Sequence, residues 1–422
     1  MAAKRPRDVI DEDDLPSCSV PKQPKCRIDL CASPDGHIYD TLKPNSNRAY
    51  ECLSALTPLV DHLSNPNTFM KLIPWKIINT NADDGASFAD AYCSVDLYPD
   101  AYSIALIFHK GLEILLDYII DNRKPVDEMQ AHSLEVLLHF LDQNYFTKPW
   151  SGNLMETLNR KSETDVTVFL ANHFFGKLSL TPKFVINGQS KGTQDGIGCI
   201  CSTDGCKMTG VFGDTGIGNP EVWHGNFDVL LNHTDTALKI SIEEDGKNDH
   251  DDSPRKNVFE VKRRTSNICE NDQIFAETIV FSFLQKQLHP YRKHHLYPCI
   301  AVNNENLVVY FYDSQHDVLL VSSPEPLFDQ KTGHFQLATI FLSWLVVNHK
   351  CLCNGLSSDM TGKKSGFFEC RKIEVFRVGL HCGQVVSPVK SSRKYNKVKE
   401  PGKEIEHLNN RRLHAMTCKN NE

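Results

Sequence analysis

Three neighbouring stretches decide the fold: Trp223–Leu231 (WHGNFDVLL), Phe259–Lys262 (FEVK) and Asp272–Gln287 (DQIFAETIVFSFLQKQ). Successive side chains of a strand point to opposite faces, so Phe259 and Val261 share one face of FEVK while Glu260 and Lys262 project together from the other. The same alternation puts Asp228 on one face at the start of a second strand. If the two strands are neighbours, Asp228 and Glu260 converge near their ends. Paired carboxylates on rigid strands suit a hard divalent cation such as Mg2+, which takes oxygen ligands. A lysine beside them can hold or activate a water. Plainer readings stay open: Asp228 as a turn or cap residue, and Glu260 with Lys262 as the solvated face of an edge strand.

Working outward, residues 156–387 read as an α/β domain, a mixed central sheet with flanking helices. A helix is expected over Glu163–Phe175, then short β-type segments (KFVING, KMTGVFG, NFDVLLN, ALKISI, VFEVK). A helix from about Asp272 to Leu288 follows. Three apolar strands (YPCIAVN, NLVVYFYD, DVLLVSS) and a helix from about His334 to Asn348 complete the pattern. Residues 46–155 read as a mainly helical N-terminal region, with apolar residues repeating at three and four. Its part from Phe69 to Pro99 is less regular, with room for short strands. Residues 1–45 have the composition of a disordered tail and 388–422 that of a basic polar tail.

The acid–x–lysine strand behind an aspartate-led strand resembles the PD-(D/E)XK nuclease superfamily, on Asp228 followed by Glu260-Val261-Lys262. The resemblance covers roughly residues 156–350 and implies a restriction-endonuclease-like αβββαβ core that hydrolyses phosphodiester bonds. It further implies that Asp228 and Glu260 bind Mg2+ or Mn2+ and that Lys262 orients or deprotonates the attacking water. In exonuclease-like branches a glutamine follows on the next helix, and Gln273 matches that place, with Glu277 one turn on. A further acid often sits on the first helix of the core. Glu163 lies close to the face set by Val166, Phe169, Leu170 and Phe174, whereas Asp165 lies more than a quarter turn away, so Glu163 is the expected third metal ligand. Phe227 stands where the superfamily's motif has proline. The expected partner is nucleic acid, DNA ahead of RNA. The alternative is a catalytically inactive nucleic-acid-binding or scaffold protein that keeps the fold.

Charge at first argues against such a partner, with 46 Lys+Arg against 53 Asp+Glu and a formal net charge of −7. Two runs, Asp8–Asp14 and Glu243–Asp252, carry 11 of the acids and one base, Lys247. Without them 45 basic residues face 42 acidic ones, so the acidic total belongs to a tail and a loop and excludes nothing. The longest strongly apolar stretch, Leu337–Val347, is well short of the about 20 residues a membrane span needs. No apolar core follows the basic residues of MAAKRPRDVIDEDD, so no secretory signal is expected and the setting is intracellular. KRPR (Lys4–Arg7) is a basic cluster of the nuclear-import type, or a solvated charge run.

The 15 cysteines show no C-x-x-C pair. The Cys199/Cys201/Cys206, Cys351/Cys353 and His381/Cys382 groups lack the spacing of a zinc knuckle, so reduced, non-ligating thiols are expected. Trp223 and His224 read equally as substrate contacts or as core and turn residues. The run His289–His295 (HPYRKHH) mixes aromatic and cation as a backbone-binding loop does, or is a solvated loop. GLSSDMTGKKS fails the P-loop spacing, and GDTGIGNP lacks the strand–turn–helix order of a dinucleotide site.

Overall fold

The computed structural model describes residues 41–60, 70–147, 153–181, 183–188, 211–231, 236–240 and 268–383. Helices α1 (Asn47–Val60), α2 (Ala105–Asp121), α3 (Glu128–Phe140) and α4 (Glu163–Leu170) precede α5 (Asp272–Leu288) and α6 (Leu337–Val347). The strands are β1 (Lys71–Thr80), β2 (Cys93–Leu97), β3 (Phe184–Asn187), β4 (Val229–Leu231), β5 (Thr236–Ile240), β6 (Leu296–Val302), β7 (Asn306–Asp313) and β8 (Val318–Ser322). They form one mixed sheet in the order β2-β1-β8-β7-β6-β5-β4-β3, with Phe212–Gly213 beyond β3. A smaller sheet joins Gly216–Gly218, His224–Asn226 and His381–Cys382. The α/β architecture with a mixed sheet and flanking helices is therefore present.

From β2 to β3 neighbouring strands run antiparallel except at β5 and β6, which pair in parallel with Cys299 opposite Ala237 and Val302 opposite Ile240; Phe212–Gly213 also pairs with β3 in parallel. A parallel pair cannot be closed by a hairpin and needs a crossover. Helix α5 lies on that crossover. Residues 71–97, less regular in sequence, supply β1 and β2, and β1 pairs with β8, Leu72 opposite Ser322 and Trp75 opposite Leu319. The long N-terminal stretch is thus tied into the same sheet.

Alternation along the central strands divides the core into two. Leu296, Ile300, Leu307, Val309, Phe311 and Leu320 pack under α1, α2, α3, α4 and α6. Tyr297, Cys299, Val308, Tyr310, Tyr312 and Leu319 pack under α5. All seven residues of β6 are buried, as expected for a central strand covered on both faces. Helix α6 is buried along its whole length, and its Trp344 Nε1 donates to Ser133 O at 2.8 Å, fixing it to α3. No described helix is long and apolar enough to cross a membrane.

Two polar residues are buried, one on each side of the sheet. Asp317, in the turn between β7 and β8, has φ +57°, a left-handed conformation that aspartate tolerates. Its buried carboxyl accepts from Tyr312 Oη (2.9 Å), Ser365 Oγ, Gly366 N (3.0 Å) and Phe368 N (3.4 Å), binding the chain at 365–368 to that turn. Burial raises its pKa, opposed by the bonds from Ser365 and Tyr312. On the opposite side of the sheet, burial, with Lys177 nearby, pushes the His173 imidazole down to about 4.

Asp317→Ala strands several buried donors and strains a positive φ, and should lower stability by about 2–4 kcal/mol in urea titration; Asp317→Asn, which keeps acceptors and tolerates the backbone, should lose less. His173 is neutral when folded while the unfolded chain, at an ordinary 6.5, takes a proton. Its contribution is therefore intact above pH 6.5 and is lost as pH falls toward 4, by roughly 3 kcal/mol, and His173→Gln should flatten that part of the stability–pH curve.

Candidate functional site

Asn271 caps α5: its side chain accepts from Gln273 N at 2.9 Å and Ile274 N at 3.3 Å. Tyr310 Oη donates to Ile268 O, holding the approach to that cap against β7. From Ile274 to Gln285 every residue of α5 is buried. Ser282 Oγ donates to His295 O at 3.1 Å, so the C-terminal half of α5 lies at the start of β6. Its first turn accordingly lies at the opposite end, where β6 finishes at Val302.

Asp228 reaches the same end of the sheet from β4. Strand β4 is antiparallel to β5, with Val229 opposite Leu238, so Asp228 sits one residue beyond the pair at the end where β5 and β6 finish. Its carbonyl accepts from Asn187 N at 2.9 Å, which fixes it to the end of β3. The approach is pinned by Thr215 Oγ1, donating to Phe227 O at 2.6 Å, and by the Phe227 ring, 5.7 Å from Phe281 of α5. Along β4, Leu230 faces the layer of α5 while Val229 and Leu231 face the other layer, and Asp228 stands at a bend just before the strand. Asp228 is half-buried, so its carboxylate is neither sealed in the core nor fully in water.

Gln273 stands on the first turn of α5, half-buried, and its Nε2 donates to Glu277 Oε1 at 2.7 Å. Glu277 is fully buried. The i, i+4 spacing that brings them together was visible in the sequence; the complete burial of Glu277 was not. Another acid at this end carried no sequence signal. Glu325 pairs opposite Leu307 at the start of β7, and burial pushes its carboxyl up to about 7.

Glu163 is the first residue of α4 behind the Ser162 cap, and α4 packs on the face opposite α5. Glu163 and Asp165 are both half-buried, so exposure does not separate them. Glu260 and Lys262 lie outside the described residues, as do KRPR, the acidic runs and Cys199, Cys201 and Cys206. Among the described residues, no group of three or more His, Cys, Asp and Glu is placed to hold a metal ion.

Of the open sequence readings, the structure resolves Trp223 and His224 as core. Trp223 is fully buried, stacked on Phe367 at 5.7 Å, with Nε1 donating to Asn81 Oδ1 at 2.9 Å. His224 is buried with Nδ1 2.9 Å from Val222 O. Neither can reach a substrate. Cys351 and Cys353 are free thiols, which burial pushes up to about 11 and about 12. The run His289–His295 follows the C-terminus of α5, about 24 Å along the helix from Gln273. It therefore does not belong to the Asp228 end.

Comparison with protein-family models, curated proteins and solved structures finds no match.

Glu277→Ala should cost about 2–4 kcal/mol in urea unfolding, through the cavity and the lost bond to Gln273, while Glu277→Gln should recover most of that loss.

Proposed function

We propose that the chain is a metal-dependent nuclease of the PD-(D/E)XK type, hydrolysing phosphodiester bonds of DNA or RNA. The observation that carries this is topological: Asp228, just before β4, lies at the sheet end where β5 and β6 finish, the end toward which the Gln273-bearing first turn of α5 is directed. The order α4, β3, β4, β5, α5, β6, with antiparallel, antiparallel and then parallel pairing, is compatible with the αβββαβ core that the resemblance implies, once the short strands between β3 and β4 are set aside and with Thr236–Ile240 as the strand beside β6.

Asp228 offers carboxylate oxygens that suit a hard cation from a half-buried position, and Glu260 would add to them, whereas Glu163 stands on the layer opposite α5. A bound Mg2+ or Mn2+ supplies Lewis-acid polarisation of the phosphodiester. Lys262 would orient the attacking water or take its proton. Gln273, with its amide nitrogen engaged by Glu277, keeps its carbonyl oxygen as an acceptor. Nuclear import through Lys4, Arg5 and Arg7 belongs to the same proposal.

The test compares wild type with Asp228→Ala and Lys262→Ala on single- and double-stranded DNA and RNA, with Mg2+, Mn2+ or EDTA. Wild type should cleave only with metal, and each variant should lose about 100-fold or more. Equal cleavage in all three proteins would overturn the site. Metal-independent binding without cleavage of any of the four substrates would favour the inactive binding protein.

A further inference from the structure

The far end of α5 carries a second concentration of charge that the site does not use. Lys286 lies on the last turns of the helix, and Arg292 and Lys293 on the loop that follows. Lys286 is within electrostatic reach of Arg377 and His295, and His295 of Arg292, so the cations of helix, loop and the segment Ile373–Val378 form one patch. The acids nearby cancel part of it: Glu374 pairs with Arg377 at 2.6 Å, and Asp313, 1% exposed, acts on Lys286 and His295 while its Oδ1 accepts from Gln315 N and His316 N. Neither Lys286 nor Lys293 forms an ion pair among the described residues. Lys286 Nζ instead donates to Ser314 O at 3.2 Å, which fixes its position at the rim.

Tyr291, next to Arg292 on the same loop, is 78% exposed, with its ring 6.0 Å from that of His289. A large aromatic ring left in water between cations is the composition that binds single-stranded nucleic acid, the cations following the phosphates and the ring stacking on a base. Arg292 lies over the buried Tyr297 ring at 5.5 Å, so the loop is packed down onto the sheet rather than hanging free.

We propose that the loop Tyr291–Lys293, with Lys286 and Arg377, is a second contact for the backbone of a single nucleic-acid strand, at the opposite end of α5 from Gln273. It deepens the nuclease reading, on which it rests for the identity of the substrate. Gln273 and the loop are about 24 Å apart along the helix, so a strand reaching from the first turn of α5 to the loop needs at least about seven nucleotides at a stacked spacing near 3.4 Å. The substrate class is therefore an extended single strand, in preference to a dinucleotide or a short end product.

The test is equilibrium binding of the full chain to labelled single-stranded DNA of 20 and of 5 nucleotides in EDTA, over a salt series. Lys286→Gln with Lys293→Gln should lower the slope of log affinity against log salt by about 1.4 on the 20-mer and leave the 5-mer nearly unchanged. Lys286→Arg with Lys293→Arg should restore the slope. Tyr291→Ala should weaken the 20-mer about tenfold and a duplex of the same length much less. Unchanged slope and affinity in the Gln and Ala variants would overturn the proposal. So would failure of the wild type to bind the 20-mer, or binding of anionic lipid vesicles instead of DNA. Because binding is read without metal, it separates the two ideas: loss of binding in these variants, with no cleavage by wild type under any condition, upholds the surface and removes the nuclease.

Discussion

The burial of α5 is the constraint on which the rest depends. Strands β5 and β6 are parallel, so the chain must return from one end of the sheet to the other, and it does so as a helix whose residues from Ile274 to Gln285 are all removed from solvent. A helix buried on every side cannot present functional groups along its length. Only its ends meet water. The N-terminal turn places Gln273 beside the end of the sheet that Asp228 reaches, and the C-terminal turns place Lys286 at the other.

Inside, the cover over α5 is built from distant parts of the chain. Phe275 meets Trp75 of β1 at 5.4 Å and Tyr310 of β7 at 5.4 Å, Phe281 meets Phe227, and Phe283 meets Phe367 and Phe376. Asp317 anchors the segment that carries Phe367, so its four accepted bonds help to close the cover over the helix. The buried Glu277 is tolerable there because Gln273 donates to it; a buried carboxylate without a donor would be far more costly.

How much of this was legible in sequence follows from range. Helix α5 was readable to its bounds because a local asparagine cap, an acidic first turn and a proline after its end mark it. Strands β6, β7 and β8 were readable because both faces are buried and their apolar runs are continuous. Strand β1 was less so, since its pairing with β8 joins residues some 250 positions apart. Trp223 and His224 could not be resolved as core from a local window, because Asn81 accepts the indole nitrogen from 142 positions away. Glu325 gave no signal because its carboxyl is raised by burial alone. Asp228 and Gln273 were singled out by motif, and the sheet brings them to one end. Glu163 arises from the opposite layer, and the positions of Glu260 and Lys262 fall outside the described residues.

The central claim is that Asp228 and the first turn of α5 bound one cation site. Anomalous diffraction from crystals of the full chain soaked in Mn2+ tests it most directly. The account predicts a peak about 2.0–2.2 Å from an Asp228 carboxylate oxygen, at the sheet end where α5 begins. A manganese peak elsewhere, with the Asp228 carboxylate free of metal at saturating Mn2+, would contradict it.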